Sequence, residues 1–426
     1  MNKIIFTIVA KNYIGLANVL ARSIFETNDN IDFYVFIADE LDQEIVSDIP
    51  GVSYKVAKET LNIDESKWQE LSFKYDLTEF CTSIKPACFS YLMDSNPGAK
   101  IIYFDPDIAV YNSLSPVFED LDNNFLILTP HITAIETFYS GEALENDFLG
   151  SGIYNLGFLA LRNCKEALSV MQWWHQRLLN QCFIDKFDSI FTDQKWMNFL
   201  SCFFDKGVLI SRDLGRNIAP WNYFQRKVSV EEGVYYVQSR INDSNKTKLL
   251  FSHFSGLDYK NLSIEKNKNI PDLKYQEYTD LEEMYKFYKV RLESEDIKKY
   301  FPLTYSYNNY TNGTPIISIH RRLYRRLIEM EDVPNPFDNN NIFYKNLTKK
   351  NLLINTSATS VDKQNHLSID KFDKKIIIIN RIIKKLKKII GFKNYILLSK
   401  LLIRYFKPEN QLFLYDEKFL KNSFRK

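Results

Sequence analysis

The sequence predicts an α/β protein with a mostly parallel sheet covered by helices, and three observations lead there. Short apolar extended runs alternate with segments of helical apolar spacing through the first half of the chain. Apolar residues make up 45% and aromatic residues 15% of the 426 residues, which suits a large folded core and not a disordered chain. Two aspartates, Asp105 and Asp107, stand directly after an apolar run, at the kind of strand end where α/β proteins hold ligands.

Taken in order, Lys3 to Ala10 reads as the first strand; it is short for a signal peptide and no small-residue cleavage site follows it. Ile14 to Glu26 has helical spacing and Asp32 to Ala38 is again extended. Thr78 to Met93 reads as one helix, Asn96-Pro97-Gly98 as a turn, and Lys100 to Phe104 as a buried strand. Phe125 to Leu128 and Ile153 to Leu161 are further strands. Asn163, with Glu166 three residues on, reads as the cap of a helix carrying Met171 and Trp174. The polar stretch 351–370 reads as a linker. The segment from Lys371 to Lys407 interleaves isoleucine and leucine with lysine and arginine around a single acidic residue, Asp373, which is a basic amphipathic pattern. The resulting plan is a catalytic domain over 1–290, its extension over 291–350, the linker over 351–370 and the basic tail over 371–426.

Composition narrows the function. The formal net charge is only +2, with the excess of basic residues concentrated near the C-terminus, so whole-protein nucleic-acid binding has little support. Five cysteines with no C-x-x-C spacing suggest neither a disulfide framework nor a zinc cage, and a reducing compartment is the default. No apolar run is long enough to cross a bilayer uncharged. Glycine is scarce, at 13 residues, and no G-x-G-x-x-G or Walker loop is present, so a bound phosphate needs another partner, such as a divalent cation.

The paired aspartates sit in YFDPDIAV. Like charges one residue apart repel and raise one another's pKa unless a cation joins them. Side chains two apart on extended chain share a face, and Pro106 fits a strand end better than a ladder-bonded middle. A second copy, Asp120-Leu121-Asp122, lies in a polar stretch and reads as a solvated turn. From the motif alone, a metal site and a structural acidic turn both remain open. His253 in isolation reads as a hydrogen-bonded structural residue, and His131 in LTPHIT as structural or lining a pocket.

The order of motifs resembles GT-A fold glycosyltransferases, and in particular glycosyltransferase family 8. AKNYIGLANVLARSI (10–24) resembles the family's opening strand, turn and helix, and TSIKPACFSYL (82–92) the helix before the metal strand. YFDPDIAV supplies the Asp-x-Asp, and YNLGFLAL (154–161) resembles the Asn-x-Gly strand. DQKWMNFL (193–200) resembles the Asp-Gln helix start and FSHFSGLDYK (251–260) the His-x-x-Gly motif. The ordered motifs cover 1–260, and a looser likeness in TYSYNNYTNGTPIISIHRRLYRRL extends to about residue 345. Two departures stand out. Gly256 is followed by Leu257, Asp258, Tyr259 and Lys260 and not by lysine and Pro-Trp, and Ser83 stands where family members often carry arginine.

The resemblance implies a GT-A fold with a C-terminal helical extension. It implies a metal-dependent retaining hexosyltransferase that uses a nucleotide diphosphate-sugar donor such as UDP-sugar. Asp105, Asp107 and His253 would bind Mn²⁺ or Mg²⁺. Asn12, Tyr13, Lys85, Asp105, Asn155 and Gly256 would contact the donor, with Asn12 and Tyr13 at the base or ribose, Asn155 at sugar hydroxyls and Lys85 near the diphosphate. Asp193 would bind sugar hydroxyls and Gln194 would lie beside the anomeric carbon. The implied acceptor is a glycan or lipid-linked glycan of a bacterial surface polysaccharide. The basic tail suggests an anionic membrane surface as a partner, hence a cytoplasmic protein attached peripherally to the inner face of the cytoplasmic membrane. Two other classes compete. A sugar-nucleotide nucleotidyltransferase also pairs aspartates on an α/β scaffold, but its glycine- and arginine-rich phosphate loop is missing. An inactive sugar-binding scaffold would have no need of both aspartates and the histidine.

Overall fold

The computed structural model describes residues 2–41, 49–135, 144–242, 245–257, 259, 278–295, 297–354 and 372–421, and among these residues fourteen strands are interspersed with helices. In chain order the strands are β1 (Lys3–Val9), β2 (Asp32–Ile37), β3 (Val52–Val56), β4 (Lys100–Phe104), β5 (Ile108–Val110), β6 (Leu126–Leu128), β7 (Phe158–Arg162), β8 (Ile184–Asp185), β9 (Ile190–Phe191), β10 (Val208–Ile210), β11 (Arg226–Glu231), β12 (Val234–Ser239), β13 (Thr247–Lys248) and β14 (Phe251–His253). The main sheet has seven strands in the order β10-β6-β7-β4-β1-β2-β3. Strands β3, β2, β1 and β4 are parallel, as are β6 and β10, and β7 runs antiparallel to both its neighbours. The fold is therefore α/β with a mostly parallel sheet flanked by helices.

Sequence explains the layering. β1, KIIFTIV, is covered on both faces and is accordingly almost continuously apolar. The helix Ile14–Phe25 lays Ile14, Ala17, Leu20, Ala21 and Ile24 into the same core as Val35, Ile102 and Phe104. Two compact units result, one made of 1–62 and 77–305 and the other of 63–76 and 306–426. The first holds the main sheet. The second is helical, built on Glu65–Lys74, Ser318–Leu327 and Ile342–Lys349 around Phe73, Leu323, Tyr324, Leu327 and Phe343. Arg321 there donates to the carbonyls of Ser72, Phe73 and Tyr75, satisfying the last turn of the first helix.

Several local expectations change. The helix expected over Thr78 to Met93 is two helices, Leu77–Ser83 and Lys85–Ser95, because Pro86 has no N–H and suits only a first turn. The strand expected over Ile153 to Leu161 begins at Phe158; Tyr154 makes one bridge to Pro130 and Leu156-Gly157 turn. Asn163 does not cap the next helix. Its amide donates to Met93 and Asn96 carbonyls at 2.7 Å, and the helix Lys165–Gln181 starts after Cys164. Asp120 and Asp122 lie in the helix Ser115–Asn123 and not in a turn, paired with Arg216 at 2.7 Å and Lys100 at 2.6 Å.

Residues 371–426 contain two unlike parts. The helices Phe372–Ile390 and Phe392–Tyr405 flank Gly391 and bury no residue. Beyond Pro408, in contrast, Leu412, Tyr415 and Phe419 enter the helical unit's core, and Glu409 accepts from buried Arg325 at 2.8 Å. Residues 355–370, most of the expected linker, lie outside the described residues.

Candidate active site

The short sheet of β5 and β14 brings the two ends of the site together. Antiparallel pairing sets His253 opposite Ile108, immediately after the Asp-x-Asp, although the residues are far apart in sequence. Asp105 and Asp107 converge through a tight turn and not through extended chain. Ile108 N–H donates to Asp105 O at 3.2 Å, and Pro106 occupies the position that favours its fixed φ. Phe254 N–H donates to Asp107 O at 2.9 Å, which locks the turn to the end of β14.

The three side chains present ligand atoms within 4.8 Å of one another. His253 Nε2 is 3.1 Å from Asp107 Oδ1 and 3.9 Å from Asp105 Oδ2. Burial pulls His253 down, but the charge and hydrogen bond of Asp107, joined by the charge of Asp105, outweigh it and hold the ring above its ordinary value. Burial, reinforced by Asp107 against the opposing charges of Lys85 and His253, holds Asp105 above the usual carboxylate range. The His253 shift reports the negative charge of the two aspartates, and the Asp105 shift reports chiefly its burial. Two carboxylate oxygens and one imidazole nitrogen fit a hard divalent ion.

Tyr103, which the sequence reading did not single out, donates its hydroxyl to Asp105 Oδ1 at 2.5 Å, and burial raises its pKa so that it remains a donor. Lys85 Nζ lies 4.1 Å from the centre of the Tyr103 ring. The same ammonium donates to Asp193 Oδ2 at 2.5 Å and to Leu156 O at 3.0 Å. Lys85 and Asp193 are thus a buried ion pair. Asp193 also accepts from the Thr192 hydroxyl, and its carbonyl accepts from Trp174 Nε1. Asp193 does not cap the following helix with its side chain. Gln194 Nε2 donates to Ser151 O at 3.0 Å.

Asn155 has partners inside the protein. Its Oδ1 lies 3.1 Å from His253 Nδ1 and accepts from Asn217 Nδ2 at 3.1 Å. Gly157 makes room for this arrangement, since a Cβ there would meet His253 Cε1 at 2.5 Å. Gly256 turns the chain after His253 at φ +78°, a region that favours glycine. Asn12 and Tyr13 form a short 3₁₀ turn before the first helix. Asn12 Oδ1 is buried without a partner, and burial, with the Asp107 charge, raises Tyr13. Lys260 lies outside the described residues.

Trp221, Asn217 and Asn222 were invisible to the sequence reading, and His131 was read only as structural or pocket-lining. Trp221 meets the His253 ring edge to face at 5.3 Å, and its Nε1 has no partner. His131 stacks on Phe148 at 4.5 Å and is pushed down to about 4 by burial, so it is neutral. Asn217 and Asn222 are fully buried in the loop that carries Trp221. An amide inside the otherwise apolar IAPWNYF was the one available signal, since a buried amide requires partners.

An acidic pair and a histidine are thus gathered beyond β4 of a mostly parallel α/β sheet. Residues 4–193, less than half of the chain, match the family model described as Glycosyl transferase family 8, which supports a glycosyltransferase enzyme. Among curated proteins the chain is similar to two uncharacterized proteins of Bacillus subtilis (strain 168). It is 26% identical to YfnF over 66% of this chain and 89% of that one, and 24% identical to YfnD over 59% and 76%. Among solved structures it is similar to the galactosyltransferase LgtC in complex with donor and acceptor sugar analogs, at 15% identity, 68% and 95% coverage and a TM-score of 0.40. It is also similar to the apo-form glycosyltransferase GlyE of Streptococcus pneumoniae TIGR4, at 17% identity, 70% and 64% coverage and a TM-score of 0.37.

Proposed function

We propose that the protein is a metal-dependent retaining hexosyltransferase that moves a hexose from a UDP-sugar to a bacterial cell-surface glycan acceptor. The observation that carries this reading is the convergence of Asp105, Asp107 and His253 within 4.8 Å. Mn²⁺ or Mg²⁺ held there would supply the counter-charge to a diphosphate leaving group. Asn12 and Tyr13 orient the base or ribose, and the unpartnered Asn12 oxygen is a ready acceptor for a base N–H. Lys85 holds Asp193 in place, so that its carboxylate can bind sugar hydroxyls but, as an ion pair, is a poor nucleophile. Retention then follows from attack of the acceptor hydroxyl on the leaving-group face, beside Gln194. The new C1–O bond forms as the C1–O–phosphate bond breaks, and the hydroxyl proton passes to the diphosphate.

The test is incubation of purified protein and Mn²⁺ with a panel of nucleotide diphosphate-sugars. Release of nucleoside diphosphate, with an α-linked product from an α-linked donor seen by NMR, is the expected result. Donor consumed only when pyrophosphate is added, with nucleoside triphosphate and sugar 1-phosphate formed, would favour a nucleotidyltransferase; donor left intact throughout would favour an inactive scaffold, and an inverted product would overturn the retaining mechanism.

A second partner is an anionic membrane surface. Residues 372–407 carry eleven lysines and arginines against one aspartate, and Ile378, Ile382, Ile389, Leu397 and Leu401 are exposed on the two helices. Apolar residues bordered by basic ones suit the interface of an anionic bilayer, where each basic residue contributes about 1 kcal/mol. Such attachment would hold the enzyme, on the cytoplasmic side, at the surface that presents lipid-linked acceptors. Among the described residues no helix is long and apolar enough to cross a membrane. Sedimentation with vesicles rich in anionic lipid, weakened by added salt, is the expected behaviour; equal binding to neutral vesicles would contradict it.

A further inference from the structure

The histidine beside the acidic pair is held from behind by a chain of buried amides. His253 Nδ1 faces Asn155 Oδ1 at 3.1 Å. That oxygen also accepts from Asn217 Nδ2, which donates to Thr129 Oγ1 as well, at 3.0 Å. Asn217 is fully buried and sits at φ +61°, in the left-handed region that asparagine tolerates better than most residues. Its own carbonyl accepts from Asn222 Nδ2 at 2.9 Å, and that nitrogen also donates to His131 O at 3.1 Å. Asn222 Oδ1 closes the loop by accepting from Ala219 N–H at 3.0 Å.

This chain has a chemical consequence at the ring. A neutral imidazole carries one N–H and one lone pair, and the partner of one nitrogen decides the state of the other. A carbonyl oxygen can only accept, so the ring nitrogen facing it is the N–H. Nε2 faces the carboxylates of Asp107 and Asp105, which also only accept, so it carries a hydrogen of its own until a cation takes its lone pair. Turning the Asn155 amide over would set its NH₂ against the NH₂ of Asn217, two donors head to head.

Building on the reading of Asp105, Asp107 and His253 as a cation site, we propose that Asn217 is a positioning residue for that site. Through Asn155 it holds His253 in the tautomer that carries its hydrogen on Nδ1 and offers Nε2 to the cation. Asn155 accordingly acts as much on the histidine as on any sugar.

Two measurements test this, and they fail separately. Nitrogen-15 NMR of the histidine rings in the Mg²⁺-loaded protein, in which the cation takes Nε2, reads the hydrogen on Nδ1 directly. A slowly exchanging hydrogen is expected on Nδ1 in the wild type, and a faster-exchanging one in Asn217→Gly, which keeps the left-handed backbone accessible. Mn²⁺ titration calorimetry reads the consequence. Asn155→Leu, which removes the acceptor, should weaken binding by about 10- to 100-fold, and Asn217→Gly by about 10-fold. Asn155→Asp, which retains an acceptor, should stay within about threefold of wild type. A wild-type Nδ1 hydrogen that exchanges no more slowly than that of Asn217→Gly would overturn the proposal. So would Asn217→Gly, folded by circular dichroism, binding Mn²⁺ as tightly as wild type. A wild-type protein that binds no Mn²⁺ would overturn the cation reading and this role with it, whereas Mn²⁺ binding that is the same in the wild type and the folded amide variants would overturn this role alone.

Discussion

The acidic pair and the helical hairpin Phe372–Tyr405 treat charge in opposite ways. At the pair, His253, Lys85 and Asp193 are buried and each has named partners. On the hairpin the charges are solvated and it is the apolar residues that lack cover: Ile389 is 81% exposed and Phe392 64%. A buried, partnered charge is arranged in advance for a small charged ligand, since its desolvation has been offset during folding. An uncovered apolar stripe has no such internal offset and is complete only against something else. In the proposed reading the first is a site that works by rigidity and the second a surface that works by contact.

Four changes sharpen this contrast. The largest effect falls on the acidic pair. Asp107→Asn removes one charge from the cation site and should lower turnover by about 10³-fold, measured as nucleoside diphosphate released; chelator should do the same to the wild type. Next comes the segment beyond the hairpin. Glu409→Ala leaves Arg325 buried without its carboxylate and should destabilise the helical unit by about 3 kcal/mol, read as a lowered denaturant midpoint. Truncation before Pro408 would also remove Leu412, Tyr415 and Phe419 from that core, so it is no clean test of the hairpin.

The third effect is acid sensitivity. Burial pushes His131 and His320 down to about 4. Each is neutral in the folded protein, whereas in the unfolded chain it takes up a proton below about 6.5. The stability each contributes is therefore complete above the unfolded value and is lost as pH falls towards 4, amounting to about 3 kcal/mol per histidine. His320→Gln should flatten that part of the stability profile against pH. The smallest effect on chemistry is expected from the hairpin. Replacing 372–407 by a short glycine-serine linker should change turnover on a soluble acceptor by no more than about twofold, since none of its residues belongs to the site, yet abolish anionic-vesicle binding.

What was legible in the sequence divides along the same line. β1, β4 and the helix Ile14–Phe25 announce themselves because their periodicity is local and their burial nearly complete. The Asp-x-Asp was visible as two like charges in need of a counter-ion, and His253 only through the resemblance. Three things were not visible. The convergence of Asp105 and Asp107 depends on a turn closed by Ile108 N–H, where an extended chain was expected. The partners of Asn155 come from Asn217, brought near by tertiary packing that no local pattern encodes. The core role of Leu412, Tyr415 and Phe419 was masked by the basic run before them, which made the whole C-terminal part read as one tail. Gly157 was quoted as part of a motif, but its reason appears only when a Cβ is placed against the His253 ring.

The most direct test is a crystal grown with Mn²⁺ and UDP, examined for anomalous scattering at the manganese edge. A single strong peak within about 2.0–2.6 Å of an oxygen of Asp105, an oxygen of Asp107 and Nε2 of His253 is the predicted result. An empty triad in a crystal whose UDP is bound and whose manganese peak lies elsewhere would contradict the account at its centre.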